Sequence, residues 1–165
     1  MDSVTTKQLS AIVLAAGCSS RLGQAKQLVE FGGQSLIARQ CQLALSVTDE
    51  VSCVIGFQAP RMRQELAALD VVCVENENWQ LGLSSSISCA ISAITENTDA
   101  VMLLLVDQWQ LTPALLRPLI QKWQQAPEKI VCASQVSHGS EHADVSENLV
   151  FGPPVIFPRH YFAEL

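Results

Sequence analysis

The stretch Ile-Val-Leu-Ala-Ala-Gly-Cys-Ser-Ser-Arg-Leu-Gly-Gln-Ala-Lys-Gln-Leu, residues 12–28, gives the strongest indication of how this chain folds. Its first part, residues 12–16, is apolar throughout, which predicts a fully buried strand. The strand ends at Gly17, and the small polar loop that follows contains the cations Arg21 and Lys26. Where no side chain intervenes, backbone N–H groups can approach phosphate oxygens, and Arg and Lys neutralise their charge. The stretch therefore predicts a site for a phosphate-bearing ligand.

The spacing within this loop differs from that of the common phosphate-binding loops. Gly17 and Gly23 are six residues apart, and Lys26 lies three residues beyond the second glycine. A Walker-type loop would have its lysine directly after that glycine, followed by Ser or Thr. The loop does not match the G-x-G-x-x-G pattern of dinucleotide-binding folds either. We therefore interpret it as a phosphate-handling loop of another kind.

Composition indicates one globular domain. The chain has 165 residues, of which 48% are hydrophobic and only 16% are charged, a balance typical of a protein with much buried sheet. The net charge of −6 excludes a generally basic nucleic-acid binder, so cations that serve an anionic ligand must be local. We expect no nucleic-acid partner.

The cysteines and the apolar runs indicate the compartment. Six cysteines are spread along the chain without a C-x-x-C pair, which favours buried, reduced thiols over disulfides. No apolar run approaches the roughly 20 residues that a membrane helix needs, and the first residues carry no signal-peptide pattern. We expect a cytoplasmic protein that does not bind a membrane.

Strands alternate with helices along the chain. The predicted strands are residues 12–16, 51–55, 71–74, 101–106 and 130–133, and the predicted helices are residues 36–45, 60–69, 83–94 and 113–125. This alternation of strands and helices implies right-handed crossovers and a mainly parallel sheet that is covered on both faces. We predict an α/β fold, a three-layer α/β/α sandwich around a Rossmann-like sheet. Its strands 12–16 and 101–106 should be adjacent or nearly adjacent and parallel.

The last part of the chain is less regular. Residues 135–149 show no periodicity, and we expect a mobile loop there. His138 and His142 could ligate a metal if that segment were helical, but Gly139 and the lack of a third fixed donor favour the loop. Residues 153–158 predict a proline-bounded edge strand, and a final helix is expected to begin at Arg159.

Two further positions are candidates for a ligand site. Asp107 follows the strongest strand, and ligands of open α/β sheets collect at the carboxyl ends of strands. A carboxylate that faces a triphosphate there is a natural Mg²⁺ ligand, although spacing alone favours the role of a loop or helix-capping acid for Asp107. Gly82 to Ser86 precede or begin a helix, where they could contact a ligand or only cap the helix.

Taken together, these motifs resemble the nucleotidyltransferases related to molybdenum cofactor cytidylyltransferase. The resemblance covers roughly residues 10–165, nearly the whole chain. It begins with the loop motifs Leu14-Ala15-Ala16-Gly17, Ser20-Arg21-Leu22-Gly23 and Lys26-Gln27-Leu28. The later matches follow in the family's order at residues 78–87, 104–108 and 152–157.

The resemblance implies an enzyme that transfers a nucleoside monophosphate from a nucleoside triphosphate to a phosphate-bearing acceptor and releases pyrophosphate. Arg21 and Lys26 would hold the triphosphate, and Asp107 would bind Mg²⁺; these three are the implied catalytic residues. Ala16 before the glycine goes with cytidine in this group, which favours CTP, with molybdopterin as the acceptor. The implied nucleotide-binding residues are Leu14, Ala15, Ala16, Gly17, Arg21, Lys26, Gly82 and Ser86.

Other functions and partners remain open at this point. A sugar-phosphate or alditol-phosphate nucleotidyltransferase would share the loop and the aspartate. A nucleotide-binding protein without turnover is the alternative from another class. The resemblance also suggests transient contact with a molybdoenzyme or its chaperone.

The chain departs from the family's pattern in three places. Trp109 stands where the family usually has proline, and Pro153 stands where it usually has histidine. The chain ends at Leu165, whereas the family continues with a further strand and helix that contain an Asp-rich segment. We therefore expect residues 1–165 to form a single nucleotidyltransferase domain that lacks this C-terminal strand and helix.

Overall fold

The computed structural model of the protein describes residues 7–18, 25–136 and 149–165. The strands are β1 (Leu9–Leu14), β2 (Glu30–Phe31), β3 (Gln34–Ser35), β4 (Glu50–Ile55), β5 (Val72–Glu75), β6 (Ala100–Leu105), β7 (Val131–Val136) and β8 (Leu149–Pro158). The α-helices are α1 (Leu36–Leu45), α2 (Ala59–Leu66), α3 (Leu83–Ser92) and α4 (Pro113–Gln125). Short 3-10 helices lie at Lys26–Leu28, Trp79–Leu81 and Arg159–Glu164.

The main sheet has the strand order β5-β4-β1-β6-β8-β7, and β2 and β3 form a separate hairpin. β1 is parallel to both β4 and β6, and β4 is parallel to β5. Leu14 pairs with Leu105, so that β1 and β6 end together at one edge of the sheet. The prediction that these two strands are adjacent and parallel is confirmed.

Helices cover both faces of the sheet, because every residue of β1 is buried and successive side chains point to opposite faces. Ala11 and Val13 belong to one apolar cluster, which includes residues of α1, α2 and α4. Ile12 and Leu14 belong to a second cluster with residues of α3 and of the C-terminal 3-10 helix. The predicted three-layer α/β/α sandwich with a mainly parallel sheet is confirmed.

The position predicted for residues 153–158 is wrong. They belong to β8, which lies between β6 and β7 and is antiparallel to both, instead of at an edge. The register between β7 and β8 shifts at Cys132/Ala133, and the residues of β8 at this irregularity are Pro153 and Pro154. Proline is tolerated inside a sheet at a bulge, where the ladder does not require its missing N–H.

Element boundaries differ from the sequence predictions by a few residues. α1 has the predicted bounds, whereas β1 begins at Leu9 and ends at Leu14, and α2 ends at Leu66. The final segment forms a 3-10 helix of six residues. In the described ranges, no helix combines the length and the apolar composition needed to cross a membrane.

All six cysteines lie in the described ranges and are free thiols, as predicted. Only Cys41 and Cys53 are fully buried, and the other four are partly exposed. A hydrogen bond with the Cys41 thiol and burial raise the pKa of the Cys53 thiol well above its ordinary value. These two thiols therefore act as small apolar core groups.

Candidate functional site

Lys26 and Asp107 form an ion pair at the edge where β1 and β6 end. Lys26 begins the 3-10 helix that follows the loop after β1, and Asp107 lies two residues beyond β6. The Lys26 Nζ atom is 2.7 Å from Asp107 Oδ2, and the two side chains are 33% and 41% exposed. Because both remain open to solvent, either group can exchange its partner for a ligand.

Gln27 ties this pair to the end of β1. Its side chain is buried, and its Nε2 atom donates hydrogen bonds to the carbonyl oxygens of Ala15, at 2.7 Å, and of Gly17, at 2.5 Å. Gln27 thereby fixes the turn after the strand and the position of its neighbour Lys26. The role of Gln27 is not evident from the sequence, because glutamine is mostly exposed in proteins and a buried side chain that bonds to backbone carbonyls leaves no spacing pattern.

The backbone of residues 14–16 stays hydrogen-bonded to its neighbours beyond the end of β1. The Leu14 carbonyl accepts from Val106 N at 3.3 Å, Ala15 N donates to the Val54 carbonyl at 2.9 Å, and the Ala16 carbonyl accepts from Phe57 N at 3.0 Å. Gly17 follows, and apart from its chain neighbours no atom of the described residues lies within 4 Å of where a Cβ would be. The predicted approach of a ligand to the backbone at Gly17 stays a prediction.

Gly56 allows the chain after β4 to pack closely on this segment. A Cβ atom at Gly56 would lie 2.9 Å from the Ala16 carbonyl oxygen and 2.8 Å from Trp79 Cβ. Trp79 packs in the same apolar cluster as Ala16 and contacts Phe57 with a ring-centroid distance of 5.6 Å. The position of Ala16 thus depends on a glycine forty residues away.

Asn76 anchors the N-terminus of α3 at the same edge. Its buried Nδ2 group donates to the hydroxyl oxygens of Ser85 and Ser86, each at 3.0 Å. Gly82 precedes the helix with φ of 100°, a conformation that favours glycine. The Ser86 hydroxyl is buried against Asn76, and its contact with a nucleotide stays a prediction. The sequence analysis does not single out Asn76. Its position as a polar residue directly after a strand is the feature that could have revealed it.

Gln108 fixes the chain beside Asp107. Its Oε1 atom accepts from Leu105 N at 3.1 Å, and its Nε2 atom donates to the Pro153 carbonyl at 2.5 Å. The residue therefore joins the end of β6 to β8. It holds the backbone of Asp107 at the sheet edge, although the sequence suggested no such role.

The predicted site residues fall into two groups. Lys26, Asp107 and residues 14–17 meet at the carboxyl ends of β1 and β6, and Gly82 and Ser86 lie at the N-terminus of α3. Arg21, His138 and His142 lie outside the described residues.

The described site offers one acidic side chain for a metal ion. Across residues 7–18, 25–136 and 149–165, no cluster of three or more His, Cys, Asp or Glu side chains could hold a metal. Mg²⁺ is often held by one or two carboxylates together with substrate phosphates. The half-exposed Asp107 fits an ion that arrives with a nucleotide, and does not by itself form a closed protein site.

Comparison with known proteins places this geometry in a family. The family model of the MobA-like NTP transferase domain matches residues 11–165. The chain belongs to this family. As a MobA-like NTP transferase domain, it shares the family's nucleotidyltransferase fold, and the site described above lies at the sheet edge where such folds bind ligands.

Among proteins of similar sequence, the bifunctional protein GlmU of Geobacter metallireducens is 29% identical over 115 residues. The matched region is 68% of this chain but only 24% of GlmU, so the chain spans about a quarter of that relative's length.

Solved structures support the same fold. Rv0371c from Mycobacterium tuberculosis H37Rv superposes with a TM-score of 0.77 at 26% identity, covering 97% of this chain and 76% of Rv0371c. A structure of Rv0371c in complex with manganese is also known. The 4-diphosphocytidyl-2C-methyl-D-erythritol synthase of Anaerococcus prevotii has a TM-score of 0.79 at 17% identity, with 95% of this chain and 73% of that chain covered.

Proposed function

We propose that this MobA-like domain transfers a nucleoside monophosphate from a nucleoside triphosphate to an acceptor phosphate. A phosphate oxygen of the acceptor attacks the α-phosphorus and forms a new P–O bond. The bond from the α-phosphorus to the bridging oxygen breaks, and pyrophosphate leaves with the electron pair. The observation that carries this proposal is the Lys26–Asp107 pair, 2.7 Å apart at the shared carboxyl end of β1 and β6.

The ion pair supports a division of roles once a nucleotide enters. Lys26 exchanges Asp107 for triphosphate oxygens and offsets the charge that develops on pyrophosphate, and Arg21 in the same loop assists. Asp107 would hold Mg²⁺, which when bound would supply positive charge that offsets the negative charge of the phosphates. The structure of the similar protein Rv0371c in complex with manganese supports a divalent ion in this fold. Gln27 keeps Lys26 in place through its bonds to Ala15 and Gly17.

We further propose that the nucleotide is CTP and that the acceptor is of the molybdopterin type. The family resemblance supports the choice of base, because alanine before the glycine goes with cytidine in this group. The family resemblance supports the acceptor, and transient contact with a molybdoenzyme or its chaperone would follow from it. The backbone of residues 14–17 would run along the base and ribose.

The test compares Asp107→Asn with Lys26→Ala in single-turnover reactions with CTP and molybdopterin while Mg²⁺ is titrated. Lys26→Ala should lose about 2–4 kcal/mol of transition-state stabilisation, the scale seen when one preorganised electrostatic group is removed. Asp107→Asn should abolish the response to Mg²⁺. Because it also releases Lys26 from its partner, it should leave CTP affinity measured in EDTA unchanged or higher.

Arg63→Ala is the matched control. Arg63 and Glu75 form an ion pair of similar geometry, at 2.8 Å, that is also half-exposed but lies on α2 and β5. Its loss should leave turnover and metal response unchanged. The proposal is overturned if Asp107→Asn keeps the wild-type rate and Mg²⁺ dependence.

A further inference from the structure

Asn76 is buried at the point where β5 ends and the chain turns toward α3. Its side chain is 4% exposed. Since β5 is parallel to β4, and β4 to β1, Asn76 lies at the same edge of the sheet as the end of β1. Trp79, on the turn that follows Asn76, and the carbonyl oxygen of Ala16 both pack closely against Gly56. The turn between Asn76 and α3 is therefore a neighbour of the segment that contains Ala16.

The partners of the Asn76 amide group fix its orientation. Its Oδ1 atom accepts a hydrogen bond from the backbone N–H of Asn78 at 3.0 Å. A backbone N–H can only donate, so the amide atom that faces it must be the oxygen. The amide NH₂ group therefore faces the hydroxyl oxygens of Ser85 and Ser86, each at 3.0 Å, and it can only donate to them. The backbone of Asn78 thus sets the direction of both hydrogen bonds.

The two serine hydroxyl groups differ in the use of their own protons. The Ser85 hydroxyl donates to the carbonyl oxygen of Gly82 at 2.8 Å and lies 3.1 Å from the carbonyl oxygen of Asn78, so its proton is used within the turn. Ser86 is 5% exposed, and in the part of the chain that the structure describes no acceptor takes its proton. Asn76 cannot be that acceptor, because its NH₂ group faces Ser86. The Ser86 proton is therefore available to a ligand.

We propose that Asn76 is a positioning residue for the nucleotide, and that it makes Ser86 a hydrogen-bond donor to an oxygen atom of that ligand. The Asn76 NH₂ group occupies one lone pair of the Ser86 oxygen and directs the hydroxyl proton away from itself. A buried donor that finds no acceptor loses the hydration of its proton, so the matching group on the ligand is an acceptor. That group is an oxygen of the nucleoside or of a phosphate. This inference rests on the proposed function for the presence of a nucleotide at this edge.

The test is a double-mutant cycle between Asn76 and Ser86, with the Kd for CTP measured by calorimetry in the presence of Mg²⁺. Asn76→Asp keeps the oxygen that accepts from Asn78, but it replaces the NH₂ group by a second acceptor that draws the Ser86 proton to itself. The Kd should rise roughly 2- to 12-fold, which corresponds to about 0.5–1.5 kcal/mol for one neutral hydrogen bond. Ser86→Ala should raise the Kd by the same factor. The double variant should bind CTP no more weakly than either single variant, because both changes remove the same contact.

Cytidine distinguishes the two kinds of acceptor. For an oxygen of the nucleoside, Asn76→Asp and Ser86→Ala should raise the Kd for cytidine by the same factor as the Kd for CTP. For a phosphate oxygen, cytidine binding should not change. The loss for CTP should then exceed about 12-fold, because hydrogen bonds to charged groups are stronger.

Two control variants separate this contact from charge and from general damage to α3. Asn78→Asp adds the same charge to an exposed side chain of the same turn, and it should weaken CTP less than Asn76→Asp. Ser92→Ala removes a hydroxyl group at the other end of α3, where it donates to the Ser88 carbonyl at 2.9 Å, and it should not change the Kd. Urea unfolding checks that each variant is folded. If Asn76→Asp is not, Asn76→Ala takes its place in the cycle, because it removes the NH₂ group without adding charge.

The inference is overturned if the Asn76 variant keeps the wild-type Kd, if its loss multiplies with that of Ser86→Ala, or if Asn78→Asp weakens CTP as much. Failure of the proposed transfer would show differently. A wild type that binds CTP with this dependence on Asn76 but releases no pyrophosphate would refute the transfer and leave the inference standing. A wild type that binds neither CTP nor cytidine overturns the inference together with the nucleotide site.

Discussion

Gly56→Ala tests whether close packing behind residues 14–17 positions the site. The added Cβ would lie 2.8 Å from Trp79 Cβ, 2.9 Å from Trp79 Cδ1 and 2.9 Å from the Ala16 carbonyl oxygen. The carbonyl group cannot move freely, because it accepts a hydrogen bond from Phe57 N at 3.0 Å. Trp79 is in turn packed against Phe57. The substitution must therefore displace either backbone or a packed indole.

Overpacking of this kind costs about 1–3 kcal/mol of unfolding free energy. For a domain of this size the melting temperature should fall by about 2–4 °C for each kcal/mol, or about 2–12 °C in total. Because Ala16 must shift, CTP affinity should fall as well. The loss of affinity should persist at temperatures at which the variant is fully folded.

The assay combines urea unfolding with CTP titration of the folded protein. Gly152→Ala is the control, because, apart from its chain neighbours, no atom of the residues that the structure describes lies within 4 Å of the Cβ that would be added there. Equal unfolding free energies for the two variants would refute the packing argument. A destabilised Gly56→Ala protein with unchanged CTP affinity would show that Ala16 does not position the nucleotide.

Two further predictions concern Ala16 and the buried thiols. Ala16→Gly should reduce the preference for CTP over GTP, measured as the ratio of their kcat/KM values; equal turnover of both nucleotides by the wild type would contradict the base assignment. The raised pKa of Cys53 means that the folded state holds this proton more tightly than the unfolded chain does. The contribution of this thiol to the free energy of unfolding should therefore be fully present below the unfolded-state pKa of about 8.5. It should be lost as the pH rises above that value. In Cys53→Ala, the free energy of unfolding measured with urea should depend less on pH above about 8.5 than in the wild type.

The central part of the sheet could be predicted from sequence because it depends on local patterns. The apolar runs at β1 and β6 and the helices between them imply parallel strands with carboxyl ends at one edge. That topology places Asp107 near the loop after β1 without knowledge of any contact. The Lys26–Asp107 pair was therefore predictable as two neighbouring site residues, although its distance was not.

Other features depend on contacts between residues that are distant in the chain, and the sequence pattern does not predict them. Pro153 and Pro154 suggested an edge strand, and only the shifted register of β7 shows why β8 can lie inside the sheet. Gln27 resembles a surface residue until the carbonyl groups of Ala15 and Gly17 are placed beside it.

The layer architecture, the strand that leads into the loop and the charged residues at the sheet edge can all be predicted from the sequence alone. These follow from hydrophobic periodicity and from the handedness of crossovers, which are properties of short segments. Which residues pack against each other is visible only in the folded protein: Gly56 contacts Ala16, Trp109 contacts Phe31, and Gln108 contacts Pro153. Such contacts depend on exact distances between segments that are far apart in the chain, and residue types alone do not encode those distances locally.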